Sequence, residues 1–182
     1  MIILASASPR RRALLKEAGI RFRVQCPPYV EKMEKGIHPK ILVLRHARGK
    51  AASVRAEGTI LAADTVVFFD GKIIGKPRDL KDARRTLKAL QGRWHAVWTG
   101  VAIAEKKDGK TRFRRNFAVQ TRVRLRALAD ADIAAYFRKV NPLDKAGAYA
   151  IQSKHSIVEE VRGSYSNAVG LPMERLRQFM RG

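Results

Sequence analysis

The chain has 182 residues, 46% of them apolar, which is enough for one ordinary domain with a core and too apolar for a disordered chain. Thirty-eight basic against sixteen acidic residues leave a net charge of +22, a field that attracts nucleic acid, anionic lipid or nucleotide phosphate and equally keeps a bare surface soluble. No apolar run approaches the roughly 20 residues of a membrane helix; Arg10, Arg11 and Arg12 come after the apolar start, where a secretory signal carries its charges before it; and a lone cysteine, Cys26, cannot form an internal disulfide, so a cytoplasmic protein is expected.

Met1–Ala5 reads as a short buried strand. Ser8 suits an N-cap and Pro9 the first helical position, so a helix is expected to about Ala18, stopped by Gly19. Ile20–Gln25 alternates as a strand. Cys26–His38, broken by Pro27, Pro28 and Gly36, is a loop of active-site size. Pro39 opens a second helix that Gly58 ends. Thr59–Phe69 is β-branched and apolar with one charge in its middle, and Asp70-Gly71 turns the chain into Lys72–Ile74. Asp79 caps a helix whose apolar stripe is Leu80, Ala83, Leu87 and Leu90. Trp94–Glu105 is a strand, with Trp94 and Trp98 on one side of it as core residues.

After the Lys107-Asp108-Gly109 turn the alternation is regular. Phe113, Phe117, Val119, Val123 and Leu125 fall on one face, and Arg112, Arg114, Arg122, Arg124 and Arg126 on the other. Asp130 caps a helix to about Val140, a strand lies near Ser156–Val161, and a last helix comes after Pro172. Hairpins mixed with helices imply an α/β chain with a mixed sheet and flanking helices.

Four places could carry chemistry. Ser6-Ala7-Ser8-Pro9-Arg10-Arg11 lies between a strand and a helix, whose N-terminus offers free N–H groups to a phosphate. Two arginines there oppose the helix dipole; phosphate is one reason for them, and solvated charge on a basic protein is the other. Asp64 interrupts an apolar strand, where a carboxylate is costly unless paired or metal-bound. It is a candidate metal ligand or general base, against a salt bridge to one of the many arginines or a solvent-exposed strand end. Lys76, in Gly75-Lys76-Pro77-Arg78-Asp79, offers a point charge for phosphate. Gln152 ends Asp144-Lys145-Ala146-Gly147-Ala148-Tyr149-Ala150-Ile151-Gln152 and can both donate to and accept from a base edge. His38, His46, His95 and His155 show no zinc spacing and read as structural or exposed. Walker A, dinucleotide-binding and serine-hydrolase motifs are absent from the sequence.

In this order the segments closely resemble the Maf family. The resemblance spans nearly the whole chain: Leu4 to Arg11, Glu31, Lys50, Ala63-Asp64-Thr65, Gly75 to Asp79, Thr99-Gly100-Val101-Ala102, Asp144 to Gln152 and Gly170-Leu171-Pro172. It implies one domain over 1–182, an elongated mixed sheet flanked by helices with two lobes around a deep cleft, related to the inosine-triphosphate pyrophosphatases. It implies hydrolysis of a nucleoside triphosphate between the α- and β-phosphates.

By the same resemblance Asp64 and Glu31 are catalytic and hold Mg²⁺ or Mn²⁺, and Ser6, Arg11, Lys50 and Lys76 contact phosphate. Arg10, Thr65 and Gln152 mark the branch acting on dTTP and UTP; the 7-methyl-GTP branch tends to have Trp and Gln where Arg10 and Thr65 stand. Val30, Gly49, Ala150 and Ser153 depart from the family pattern. Two rivals stand beside the enzyme: a nucleic-acid-binding module using the five-arginine face, and a division-regulating protein. A homodimer is left open.

Overall fold

The structure, a computed structural model, describes residues 1–34 and 36–180. Strands β1 (Ile2–Ala5), β2 (Phe22–Val24), β3 (Gly58–Phe69), β4 (Lys72–Ile74), β5 (Trp94–Lys107), β6 (Lys110–Leu125) and β7 (Val158–Arg162) form one mixed sheet. Its order is β2-β1-β3-β5-β6-β7, with β4 also paired to β3. β1 runs parallel to β2 and β3, and every later pairing is antiparallel. Among the described residues six α-helices flank it: α1 (Pro9–Glu17), α2 (Pro39–Ser53), α3 (Leu80–Leu90), α4 (Asp130–Lys139), α5 (Tyr165–Val169) and α6 (Met173–Met180). The expected mixed sheet with flanking helices is present. No helix among the described residues is long and apolar enough to cross a membrane.

β3 organises the core because it alternates. Ile60, Ala62 and Val66 pack on the side covered by α2, against Ala47 and Ala51 or Leu42 and Val43. Leu61 and Ala63 pack on the other side with Leu15 and Leu176. Val67, further along that side, joins the cluster of α3 and α4. Asp64 therefore points to α2, and Thr65 to α1 and α5.

Four local expectations are corrected. α2 ends at Ser53, five residues before Gly58, because Lys106 of β5 reaches across to the carbonyls of Ala52 and Val54 and Val54 turns extended into the core. Ala129, not Asp130, holds the N-cap position of α4; the Asp132 carboxylate accepts from its N–H at 2.9 Å. α5 has no counterpart among the helices expected from sequence; Ser164 caps it by accepting from Asn167 N–H. Trp94 and Trp98 are half-buried rather than core, and Trp94 is covered by the guanidinium groups of Arg122 and Arg162.

A further correction bears on function. A β-bulge shifts the β5–β6 register between Ile103 and Ala104, so that Ile103 faces Arg115 while Ala104 faces Phe113. A bulge inserts one residue and reverses the facing of the residues beyond it. Phe113 consequently packs under α2 with Arg48 over its ring, and Phe117 packs on the opposite side with Leu4 and Phe179. Arg112 lies on the side of Phe117, Arg114 in the bulge, and Arg122 and Arg124 on the side of Phe113. The five-arginine face does not exist.

Candidate active site

A cleft of about 420 Å³ opens where α1, the loop before α2, the middle of β3 and the Asp144–Gln152 segment meet. That size suits a small-molecule ligand. It is lined by all the site residues expected from sequence except the buried Ser6, which sits behind Arg11.

The floor is Asp64. It is 4% exposed in the middle of β3, opposite Gly100 in the ladder, so the alternative of a solvent-exposed strand end is excluded. Its neighbours come from α2, where His46 and Lys50 are one turn apart on one face. Lys50 Nζ donates to Asp64 Oδ1 at 2.6 Å, and His46 Nδ1 lies 3.0 Å from Oδ2. Burial alone would raise the Asp64 carboxyl; the His46 hydrogen bond and then the Lys50 ammonium outweigh it and hold it at about 2. Glu31, at the mouth, reaches the same ammonium at 2.6 Å. Two carboxylates thus converge on one cationic point.

His46 reads from sequence as structural or exposed. In the fold it is buried, and its Nε2 lies 3.1 Å from the Lys32 carbonyl oxygen. The carbonyl only accepts, so Nε2 carries a proton, while Nδ1 faces the Asp64 carboxylate, an arrangement that favours the protonated ring. The Asp64 hydrogen bond raises its pKa against the effect of burial. No signal within the sequence pairs residue 46 with residue 64; only their position under the same helix face does.

The opposite wall is Arg11. Its Nε donates to the Gly170 carbonyl at 2.8 Å, Nη1 to Ser6 Oγ at 3.0 Å and Nη2 to Thr65 Oγ1 at 3.1 Å. A guanidinium has five N–H donors, so two remain for a ligand. Gly170 can present its carbonyl because its φ of 127° is closed to most side chains. Thr65 is itself held by Thr99 at 2.9 Å, which donates to the Asn167 carbonyl. Burial lowers the Arg11 pKa while the Asp64 charge raises it.

Ser8 occupies the N-cap position of α1 without a side-chain cap, leaving its hydroxyl uncommitted beside the cleft. Arg10 spans the cleft edge, bonding the Asp144 carboxylate at 3.0 Å and the Asp144 carbonyl at 3.1 Å. Lys76 and Gln152 are exposed side chains along the lining. The arrangement places anionic groups and Lys50 at one end, Arg11 and a helix N-terminus beside them, and the small-residue segment with Gln152 beyond.

The model of the Maf-like protein family matches residues 1–182. The protein named dTTP/UTP pyrophosphatase of Gloeobacter violaceus is 46% identical over 179 residues, covering 96% of this chain and 92% of that one. Its namesake in Anaeromyxobacter dehalogenans is 45% identical, covering 99% and 92%, and that of Methanosarcina barkeri 41% identical, covering 98% and 92%. The solved structure of the Ham1 protein from Staphylococcus aureus shares the fold, with a TM-score of 0.52 at 16% identity over 100% of this chain and 98% of that one.

Proposed function

The chain belongs to the Maf-like protein family, and from that premise we propose that it is a nucleoside triphosphate pyrophosphatase that cuts dTTP and UTP between the α- and β-phosphates. The observation that carries this reading is the buried Asp64 carboxylate facing Lys50 and Glu31 on one side of a cleft whose other wall is a three-point-anchored arginine. Anhydride cleavage needs neutralised phosphate charge, a positioned water and a proton acceptor, and these residues supply each.

In this reading Arg11, Lys50 and Lys76 bind the phosphates, with the N-terminus of α1 behind them. Ser6 and Thr65 hold the guanidinium plane of Arg11. Asp64 orients the attacking water and accepts its proton. A carboxylate held at about 2 is ionised at neutral pH but is a weak base. Phosphate drawing Lys50 away removes one positive partner and strengthens it. Gln152 reads the donor–acceptor edge of thymine or uracil, and Arg10 fixes the Asp144–Gln152 segment that presents it.

A divalent cation fits the same place. Glu31 and Asp64 already approach one ammonium at 2.6 Å each, and two hard oxygen ligands suit Mg²⁺ or Mn²⁺. Glu31 and Asp64 would hold it, and when bound it supplies charge neutralisation at the phosphates. Residues 1–182 serve as one unit with two lobes around this cleft, and a cytoplasmic setting suits the exposed free thiol of Cys26. With the arginines of β6 divided between faces, the single-face argument for polyanion binding falls, and the net charge of +22 is what remains behind it.

The test is a panel of nucleoside triphosphates with pyrophosphate detection. Turnover of dTTP and UTP above the purine triphosphates supports the reading. Silence across the panel, or preference for 7-methyl-GTP, overturns the substrate assignment.

A further inference from the structure

Two carboxylates do not exhaust the donors around the cation position. His46 lies on α2 one turn before Lys50, among the fully buried Leu42, Val43, Ala47 and Ala51. A buried imidazole is costly unless its polar atoms are used, and this one lines the polar cleft with the Tyr29 ring edge-on to it. Donor atoms of Glu31, His46 and Asp64 all lie within 4.8 Å of one another. The ring is oriented from behind, since Nε2 is committed to the Lys32 carbonyl at 3.1 Å. Metal-ligating histidines are held in this way, the far N–H donating to a carbonyl or carboxylate and the near nitrogen turned to the ion. The near nitrogen here is Nδ1, directed at the Asp64 carboxylate.

We propose that His46 Nδ1 is the third protein ligand of the divalent cation, completing with Glu31 and Asp64 a site of two oxygens and one nitrogen. This rests on the reading that Glu31 and Asp64 hold a cation at all. The ion would take the place of the Nδ1 proton, which leaves to solvent, and of the Lys50 ammonium, which would swing out into the open cleft where phosphate binds when nucleotide is present. An imidazole ligand moves a site's preference from hard Mg²⁺ toward Mn²⁺ and Co²⁺ along the Irving–Williams order. A site of carboxylates alone would not make that distinction as strongly.

The test is Mn²⁺ titrated into the full chain without nucleotide. Free Mn²⁺ is monitored by electron paramagnetic resonance, and nitrogen coupling to the bound ion by electron spin-echo envelope modulation. Wild type should bind Mn²⁺ with imidazole ¹⁴N modulation. His46→Gln should lose the modulation and bind Mn²⁺ at least about 10-fold more weakly, with a smaller change for Mg²⁺ measured by competition. Asp64→Asn should lose both. Mn²⁺ that binds without ¹⁴N modulation, is lost in Asp64→Asn and is retained unchanged in His46→Gln would overturn the third ligand and leave the two-carboxylate reading standing. Failure of wild type to bind Mn²⁺ overturns both. If His46→Gln does not fold, the wild-type spectrum decides: imidazole ¹⁴N modulation on the bound Mn²⁺ supports the third ligand, since among the described residues His46 is the histidine that lines the cleft, and bound Mn²⁺ without that modulation overturns it.

Discussion

Gly100→Ala tests whether the sheet sets the position of the catalytic helix. Gly100 lies opposite Asp64 in the β3–β5 ladder and under α2. A Cβ there would stand 2.5 Å from the Val43 carbonyl carbon and oxygen and 2.8 Å from the Leu44 nitrogen. Ordinary contact begins near 3.4 Å, so α2 would have to retreat by the difference of 3.4 and 2.5, about 0.9 Å. The obstacle is backbone, which no rotamer can move. Overpacking of this kind costs about 1–3 kcal/mol, or a fall in melting temperature of roughly 2–4 °C per kcal/mol for a chain this size. His46 and Lys50 ride on the same helix, and a displacement near 1 Å of a positioning element can cost about 100-fold in rate. Thermal unfolding and steady-state pyrophosphate release from dTTP would be measured together. The variant should melt several degrees lower and turn over far more slowly even where it is fully folded. Wild-type melting and undiminished turnover would refute the idea that close approach at Gly100 seats the helix.

Burial pushes the His95 imidazole down to about 4, against an ordinary value of 6.5. The unfolded chain therefore binds the extra proton first, and this contribution is complete above pH 6.5 and lost as pH falls toward 4. From pH 6.5 to 5 the loss is about 2 kcal/mol, at about 1.4 kcal/mol per unit; urea unfolding at pH 7 and 5 should show it in wild type and not in His95→Gln, and equal pH dependence in both would contradict it. Arg11→Lys cannot hold Gly170, Ser6 and Thr65 at once, so turnover should fall at least about 10-fold, with a stability loss of about 1–3 kcal/mol; a variant with normal kinetics removes Arg11 from the phosphate site. EDTA should abolish dTTP hydrolysis and Mg²⁺ or Mn²⁺ restore it, whereas full activity in EDTA after exhaustive dialysis counts against a cation.

Local signals carry much of the fold. β3, the Asp70-Gly71 hairpin and the Asp79-capped α3 are legible because a β-branched run, a turn pair and a cap residue act within a few positions. Asp64 stands out for the same reason, as one carboxylate inside apolar sequence. The features that escape a reading of the sequence are set across the fold. The β6 bulge is a property of pairing with β5, so alternation read along one strand puts Phe113 and Arg112 on the wrong faces and misses that Arg114 sits in the bulge. The end of α2 is taken up by Lys106, 52 residues from Val54. Lys50 and Glu31 emerge only through the family resemblance, and His46 carries no local signal at all, because their common partner lies in another element.

The most direct test of the central claim tracks the phosphorus of dTTP by ³¹P NMR, in wild type and in Asp64→Asn. The buried, anionic Asp64 is the proposed proton acceptor, and Asn keeps its shape without its charge. Wild type should yield dTMP and pyrophosphate, and the folded variant should be slower by at least about 100-fold, as expected for a lost base. Appearance of dTDP and inorganic phosphate, or wild-type turnover by the folded variant, would contradict the account.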